Sequence, residues 1–257
     1  MLNKVPQVTI YFWIIKILAT TVGETAADFL ATTLHLGLIL TSYVMTGLFV
    51  IALLVQLTRK RYIPAIYWAV VVLISVVGTL LSDTLVDKLG VGLRTSTIVF
   101  AAGLGVVFLC WWLRERSLSV HEIKTRSREL FYWAAILLTF ALGTSGGDLV
   151  AESLGLGYAL SAVIFASLIA LTAFAHYVFK INGVLAFWIA YILTRPLGAS
   201  LGDLLSQPVK NGGLGVGTTA TSAVFLTIIV ALVTYLSMTR KDDLALRARE
   251  LREAAAT

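Results

Sequence analysis

Eight long apolar runs limit what this chain can fold into more than any other feature of its sequence. A helix needs about 20 mainly apolar residues to cross the roughly 30 Å hydrocarbon core of a bilayer. We therefore predict an all-α integral membrane protein with eight transmembrane helices. The predicted spans are residues 8–30, 37–57, 63–83, 96–113, 129–149, 157–179, 183–204 and 218–238.

The composition indicates that the lipid bilayer is the solvent of this chain. Of its 257 residues 58% are hydrophobic and 13% are charged, whereas a soluble domain carries about 25% charged residues. The basic residues that give the net charge of +6 stand in short loops between apolar runs, so we expect no nucleic-acid partner. The single cysteine, Cys110, lies in an apolar run, which excludes a disulfide framework and a cysteine-based metal site.

The basic residues are divided unequally between the two sets of loops, and this predicts the orientation. Fifteen Lys and Arg residues fall on one side, and only Lys88, Arg94 and Lys210 fall on the other. Lys and Arg accumulate in cytoplasmic loops, so we expect both termini in the cytoplasm. The charged tail, 241–257, is expected to be a short helix on the membrane surface or a solvated segment.

A motif that occurs four times shows how the eight runs are related. An aromatic residue and a tryptophan open each odd-numbered run, a glycine follows ten residues after the tryptophan, and an aspartate follows five residues later. A small residue precedes each aspartate. The tryptophans are Trp13, Trp68, Trp133 and Trp188, the glycines are Gly23, Gly78, Gly143 and Gly198, and the aspartates are Asp28, Asp83, Asp148 and Asp203.

The spacing of the motif predicts four parallel two-helix repeats in one domain, 1–240. Successive tryptophans are 55, 65 and 55 residues apart, which indicates two successive duplications. Each repeat contains an even number of spans, so all four point the same way, with pseudo-symmetry about the membrane normal. The predicted repeats are about residues 8–60, 63–115, 129–180 and 183–239.

These motifs resemble the bacterial family of multi-pass membrane proteins, described as uncharacterised membrane-anchored proteins, that is built from four tandem copies of a two-helix repeat of unknown function. The resemblance extends to about residue 240 and includes the characteristic tryptophan. It implies the eight-helix architecture and a location in the bacterial inner (plasma) membrane. It implies no activity.

The tryptophans and the small residues of the motif favour structural roles. The tryptophans stand near the predicted cytoplasmic ends of their helices, where indole rings settle at the headgroup level, so we expect interface anchors. Each motif glycine has a small residue four positions later. Such small-xxx-small faces let helix backbones approach closely in lipid, so we expect helix packing there.

The aspartates are the candidates for an ion site. Each lies about 22 Å beyond its tryptophan at 1.5 Å per residue, in the outer third of the membrane, where a carboxylate is costly without a purpose. Glu24, Asp87 and Glu152 stand four residues from three of the aspartates, which would put both acids on one helix face. Carboxylates suit protons and hard metal ions, so all seven acids are candidate ion ligands, and the four aspartates are candidate metal ligands. The alternative is that each aspartate caps or hydrogen-bonds a neighbouring helix end.

Two basic residues break the fourfold pattern inside the predicted membrane. Lys16 lies in the first run, and Arg195 lies in the seventh, directly before Pro196. Intramembrane charges usually pair with opposite charges, so we expect these two to balance some of the acids. His35 stands alone in a loop, where a histidine is more often incidental than a ligand.

These features favour a secondary transporter of a cation, either a metal ion or a proton-coupled solute. We expect no enzyme activity and no cofactor, because the chain lacks the P-loop, HExxH and GxSxG motifs. The alternative is a non-transporting structural or regulatory membrane protein, in which the aspartates are hydrogen-bond partners in helix packing. A passive channel would use the same residues as the transporter.

Overall fold

The computed structural model describes residues 3–242, and this part of the chain is all α-helical apart from its connections. Its eight long helices are each long and apolar enough to span a membrane. This confirms eight helices at the predicted positions, and they begin and end within three residues of the predicted bounds. The tail, 243–257, lies outside the described residues. The helices are α1 (Ile10–Asp28), α2 (Leu38–Thr58), α3 (Pro64–Asp83), α4 (Leu93–Glu115), α5 (Arg126–Asp148), α6 (Gly157–Phe179), α7 (Gly183–Ser206) and α8 (Thr218–Thr239).

Local signals explain where several helices begin. The Thr9 hydroxyl accepts a hydrogen bond from the backbone N–H of Phe12, and the Asn182 side chain accepts from two N–H groups at the start of α7. Such N-caps satisfy donors that have no partner inside the helix. Pro64 occupies the first turn of α3, where its missing N–H costs nothing.

The odd-numbered helices form a closed ring, and the even-numbered helices surround it. In the ring α1 contacts α3, α3 contacts α5, α5 contacts α7, and α7 returns to α1. In the most apolar 18-residue stretch of each odd helix, 56–67% is buried, against 11–22% in the even helices. The odd helices therefore position any central site, and the even helices present the apolar outer surface.

Each even helix packs mainly on the odd helix of the following repeat. Helix α2 packs on α3, α4 on α5, α6 on α7, and α8 on α1. The fourth repeat therefore closes on the first. The four repeats interlock, so none of them is a separate folding unit by its contacts.

The four motif glycines lie at the contacts within the ring. Each faces the side chain that stands seven residues after the tryptophan of the next repeat, and a Cβ atom at any of the four would overlap it. Only glycine permits this approach of neighbouring helices. The four contacts are Gly23 with Ser75, Gly78 with Phe140, Gly143 with Arg195, and Gly198 with Thr20.

An aromatic layer closes one end of the ring, which we call the tryptophan end; the opposite end is the aspartate end. The aromatic residue that precedes each tryptophan packs on the tryptophan of the next repeat. The ring centroids are 5.6 Å apart for Phe12 and Trp68, 5.5 Å for Tyr67 and Trp133, 6.3 Å for Tyr132 and Trp188, and 5.8 Å for Phe187 and Trp13.

This layer corrects the expectation that the tryptophans are membrane-interface anchors. Trp68, Trp133 and Trp188 are only 1%, 2% and 4% exposed, so their indoles contact protein rather than headgroups. Trp13 is half-buried. The aromatic side chains of adjacent repeats bury one another, because neighbouring odd helices pack together at this end.

The glycine contacts predict the outcome of a matched pair of substitutions. Gly78→Ala places a Cβ against Phe140 and the backbone of Ala141, and should destabilise the protein by about 1–3 kcal/mol. Gly105→Ala, in α4, meets nothing within 4 Å, and should stabilise by up to about 1 kcal/mol through helix propensity. Thermal unfolding in detergent measures both variants. Equal midpoints for the two would contradict the close approach of α3 and α5.

Candidate functional site

Side chains three, seven and eleven residues after each tryptophan form three layers inside the ring. In these three layers every side chain is at most 1% exposed except Glu24, which is 6% exposed. The ring interior is therefore filled by side chains in these layers. The layers are Lys16, Val71, Ile136 and Tyr191; then Thr20, Ser75, Phe140 and Arg195; then Glu24, Thr79, Thr144 and Ala199.

Arg195 joins all four odd helices through its guanidinium group. Its Nη2 donates to Glu24 Oε2 at 2.8 Å, to Thr144 Oγ1 at 2.8 Å and to Thr79 Oγ1. Its Nη1 donates to the backbone carbonyl of Thr20 at 3.1 Å. Glu24, Thr79 and Thr144 occupy the same position in the first three repeats, so equivalent residues of three helices bind one arginine from the fourth.

Of the two basic residues expected to balance an acid, Arg195 does so. Its salt bridge is to Glu24, and it makes none to an aspartate of the motif among residues 3–242. Arg195 is fully buried and Glu24 is nearly so. Removing one partner of such a pair leaves an uncompensated charge, at a cost of about 3–5 kcal/mol.

Lys16 does not pair with an acid, which corrects the expectation that it balances one. Its Nζ atom lies 3.9 Å from the ring centroid of Phe140 and 4.1 Å from that of Tyr191. The side chain is fully buried, and Nζ makes no hydrogen bond within the described part of the chain. The faces of the two aromatic rings carry partial negative charge, so they take the place of a carboxylate.

The motif aspartates stand where the α-helices of the first three repeats change geometry. Asp28, Asp83 and Asp148 are the last residues of α1, α3 and α5, and a five-residue π-helical turn follows each of them. Helix α7 instead runs through Asp203 to Ser206 without a π-turn. Single π-helical turns are rare in proteins, and those that occur are often found at functional sites. The three turns are Phe29–Thr33, Thr84–Lys88 and Leu149–Ser153.

The aspartate side chains are not held by local backbone groups. Asp28, Asp83 and Asp148 precede the π-turns without a capping hydrogen bond from the side chain. Within residues 3–242, no side-chain hydrogen bond and no salt bridge involves any of the four motif aspartates. The proposal that they cap helix ends therefore has no support in this geometry.

The four aspartates share one electrostatic environment at the aspartate end. Each is repelled by Glu24, and each is also repelled by an acid from another repeat. Asp203, for example, interacts with Asp148 and Asp28. Asp203 is buried, and the other three aspartates are half-buried. Carboxylates of all four repeats thus converge on the end of the ring where Glu24 meets Arg195.

The aspartates do not form the preformed metal centre that the sequence suggested. Among residues 3–242, no group of three or more His, Cys, Asp or Glu side chains has the spacing of metal ligands. The physical reason is that the four aspartates stand on four different helices around the ring. Their convergence is close enough for electrostatic interaction and too wide for one coordination sphere.

The expected stacking of acids four residues apart is also altered by the π-turns. Asp87 and Glu152 lie within these turns and are exposed. A π-helix has i→i+5 hydrogen bonds, so residues four apart no longer align as they would on an α-helix. The Tyr158 hydroxyl donates to Glu152 at 3.2 Å. Only Glu24 and Asp28 keep the predicted α-helical spacing within one helix.

His35 lies apart from this cluster of acids. It is exposed and has a left-handed backbone with φ of 57°, and its Nδ1 atom lies 2.9 Å from the carbonyl oxygen of Thr33. Gly90 and Gly155 take the same backbone conformation at the equivalent positions, with φ of 68° and 69°. His35 thus closes a local turn.

Sequence reasoning missed a buried polar cluster at the tryptophan end. Glu129 is fully buried, and its carboxylate accepts from Lys4 Nζ at 2.5 Å and from Gln56 Nε2 at 3.1 Å. Lys4 Nζ also donates to the carbonyl of Leu57 at 3.2 Å. The sequence placed Lys4 among the loop charges. The available signal was an acid, Glu129, only four residues before the motif tryptophan Trp133.

Sequence reasoning also missed the threonines that bind Arg195. Thr79 and Thr144 are common residue types for an apolar helix and carry no charge. Aligning the repeats by their tryptophans would have shown that both stand at the position of Glu24. That alignment indicates only that the positions are equivalent. The tertiary structure is needed to show that Glu24, Thr79 and Thr144 all contact the guanidinium group of Arg195.

The ring and the motif together define a class of protein: eight apolar helices built from four two-helix repeats. A family model described as "Repeat of Unknown Function (DUF347)" matches residues 11–62, 66–117, 131–182 and 186–242. The chain belongs to this family, which confirms the resemblance seen in the sequence. No match was found among curated proteins or among solved structures.

The central ion pair predicts a non-additive set of stabilities. Arg195→Met leaves Glu24 buried and unpaired and should lower the free energy of unfolding by about 3–5 kcal/mol. Glu24→Gln combined with Arg195→Met removes both charges, so the double variant should recover much of this loss. Unfolding midpoints in detergent for both singles and the double measure the coupling.

Arg128→Met is the control for this cycle. Arg128 is partly exposed and pairs with Glu115 and Glu122 at the tryptophan end, where such pairs contribute about 0–1 kcal/mol. Strictly additive effects of Glu24→Gln and Arg195→Met would contradict the direct coupling of the two charges.

Proposed function

We propose that this protein is a secondary membrane transporter that moves a cation, as a metal ion or as the proton that drives a solute. The proposal is carried by one observation: four repeat-related carboxylates, which make no side-chain hydrogen bond within residues 3–242, lie at the same end of the four ring helices, next to Glu24. Carboxylates within apolar helices are costly and usually mark ion pathways or proton relays. A cation at this end would relieve their mutual repulsion.

Glu24 links the aspartate end, which is the acidic end of the ring, to the contacts inside the ring. It stands one helical turn before Asp28 in α1 and is also bonded to Arg195. A proton or cation bound at Glu24 weakens its attraction for the guanidinium, which then retains Thr79, Thr144 and the carbonyl of Thr20. Binding at the acidic end therefore changes a contact that joins all four odd helices.

The direction of access follows from the same proposal. The layers from Lys16 to Arg195 are filled, and the aromatic layer lies beyond them, so this conformation is closed toward the tryptophan end. Parallel repeats permit access to alternate by movement of helices around a fixed central site. With the termini in the cytoplasm, as the loop charges favour, the acidic end faces outward in the bacterial inner membrane.

A second candidate is a structural or regulatory membrane protein that transports nothing. The filled interior favours it, because the side chains of the central layers leave almost no exposed surface. In that case the central ion pair serves to specify how the four helices pack. The two candidates differ in whether an ion binds the folded protein.

Flux measurements test the transporter directly. In proteoliposomes, uptake of Mg²⁺, Mn²⁺ or Ca²⁺, or proton movement reported by an internal dye, should appear with the wild-type protein. Asp148→Asn and Asp203→Asn should each slow the initial rate about tenfold, which corresponds to about 1.4 kcal/mol. Glu122→Gln, at the opposite end of the bundle, is the control and should leave the rate unchanged. Equal flux in the wild type and in all four motif Asp→Asn variants would overturn the proposal.

Thermal melting separates the two candidates. An ion that binds only the folded state raises the unfolding midpoint. We expect one of the three divalent cations, or a change of pH, to raise the midpoint of the wild type but not that of a quadruple Asp28→Asn, Asp83→Asn, Asp148→Asn, Asp203→Asn variant. If no ion or pH distinguishes the two proteins, the structural or regulatory candidate is favoured.

A further inference from the structure

A crevice of 690 Å³ opens at the tryptophan end between α1, α6 and α7. Its volume falls in the range of about 300–1,000 Å³ that is typical of ligand pockets. It lies away from the central layers and from the acidic end, so the proposed transport pathway does not account for it.

The crevice depends on the connection that breaks the regularity of the repeats. The second and third tryptophans are 65 residues apart, against 55 for the other two intervals. The extra residues lie between α4 and α5, and three of them, Ser119, Val120 and His121, line the crevice. Part of the crevice wall is therefore formed by a connection that is longer than its counterparts.

Specific hydrogen bonds hold this connection in place. The Trp188 indole N–H donates to the carbonyl of Leu118 at 3.0 Å. Arg128 donates to Glu115, the last residue of α4, at 2.9 Å and to Glu122, within the connection, at 2.8 Å. The bond from the Arg128 guanidinium holds the pKa of Glu122 below its ordinary value. The wall of the crevice is thus a fixed part of the fold.

The lining combines polar groups with apolar side chains. The polar groups at helix ends and in the connection, which we call the rim, include His121, His176 and Asn182. The apolar residues include Trp13, Phe187 and Ala190. Ala190 is seven residues from the start of α7, about 10 Å at 1.5 Å per residue. A ligand that fills this space needs a polar end and an apolar chain.

The surroundings of the rim favour a negatively charged polar end. Lys180 directly follows α6 and is two residues before Asn182 of the rim, and Arg116 and Lys124 belong to the connection that forms one wall. Most of the described Lys and Arg residues stand at this end of the bundle. Basic clusters at the end of apolar helices attract anionic headgroups.

We propose that the crevice binds an anionic phospholipid, with one acyl chain against Trp13 and Phe187 and the headgroup at the rim beside His121. Three of its walls belong to helices that are long and apolar enough to span a membrane, so a lipid can enter from the side. The site is independent of the acids at the opposite end.

Lipid binding to the purified full-length protein tests this assignment. Native mass spectrometry should show phosphatidylglycerol bound more tightly than phosphatidylcholine with the same acyl chains. Ala173→Trp fills the crevice from α6, and should weaken phosphatidylglycerol binding about tenfold or more, equivalent to about 1.4 kcal/mol. Ala170→Trp is the control, since Ala170 is also exposed on α6 but does not line the crevice. Equal binding by these two variants would overturn the proposal.

A charge reversal at the rim tests the headgroup separately. His121→Glu should weaken phosphatidylglycerol about fivefold, as expected for one charge near an anionic headgroup, and should leave phosphatidylcholine unaffected. Equal affinity of the wild type for the two lipids would overturn the anionic assignment. Brominated phosphatidylglycerol should also quench wild-type fluorescence more than that of Trp13→Phe. This readout needs no bulky substitution, and equal quenching would count against an acyl chain beside Trp13.

Discussion

The contact between each motif glycine and the next odd helix is the constraint on which the rest of this structure depends. Arg195 shows why most clearly, because its Cβ and Cγ atoms lie against Gly143. A side chain at Gly143 would displace Arg195 from the ring and separate its guanidinium from Glu24 and the two threonines. The same contact at the other three glycines closes the ring and brings the aromatic layer together. Small residues at helix contacts let backbones approach closely, and the four motif glycines do so around the whole ring.

On this symmetric scaffold the charges are placed asymmetrically. The positions equivalent to Glu24 hold Thr79, Thr144 and Ala199, and those equivalent to Arg195 hold two small polar residues and a phenylalanine. Four acids at the Glu24 position would repel one another in an apolar interior. One acid and one arginine, with threonines completing the hydrogen bonds, satisfy the centre instead. The motif aspartates remain fourfold because they stand farther out, where three of them are half-buried.

The long connection between α4 and α5 breaks the symmetry a second time, at the opposite end. It carries the residues that line the crevice, and bonds from Trp188 and Arg128 fix its position. The charged centre and the crevice are thus two regions where the repeats differ. Both regions are candidates for ligand recognition, since a fourfold scaffold alone offers four equal sites.

Much of the fold could be predicted because its signals are local. Apolar length predicted the eight helices, and the recurring tryptophan, glycine and aspartate predicted the repeats, which the family match confirms. The surroundings of individual side chains could not be predicted in the same way. Trp68 was expected at headgroups and is buried against Phe12, and Lys16 was expected beside an acid and lies between Phe140 and Tyr191. Each of these contacts joins residues of different repeats. The two residues are far apart in the sequence, and the residues around either one do not indicate its partner.

The amino-acid sequence by itself therefore determines how many helices form, where they end and that they recur in four related pairs. These features follow from hydropathy and motif spacing, which are properties of each stretch of sequence alone. The tertiary structure alone decides which helices form the ring, which repeat each even helix packs on, and which acid meets Arg195. Those outcomes depend on packing between distant segments, where the absence of a side chain at a glycine lets one helix reach the next.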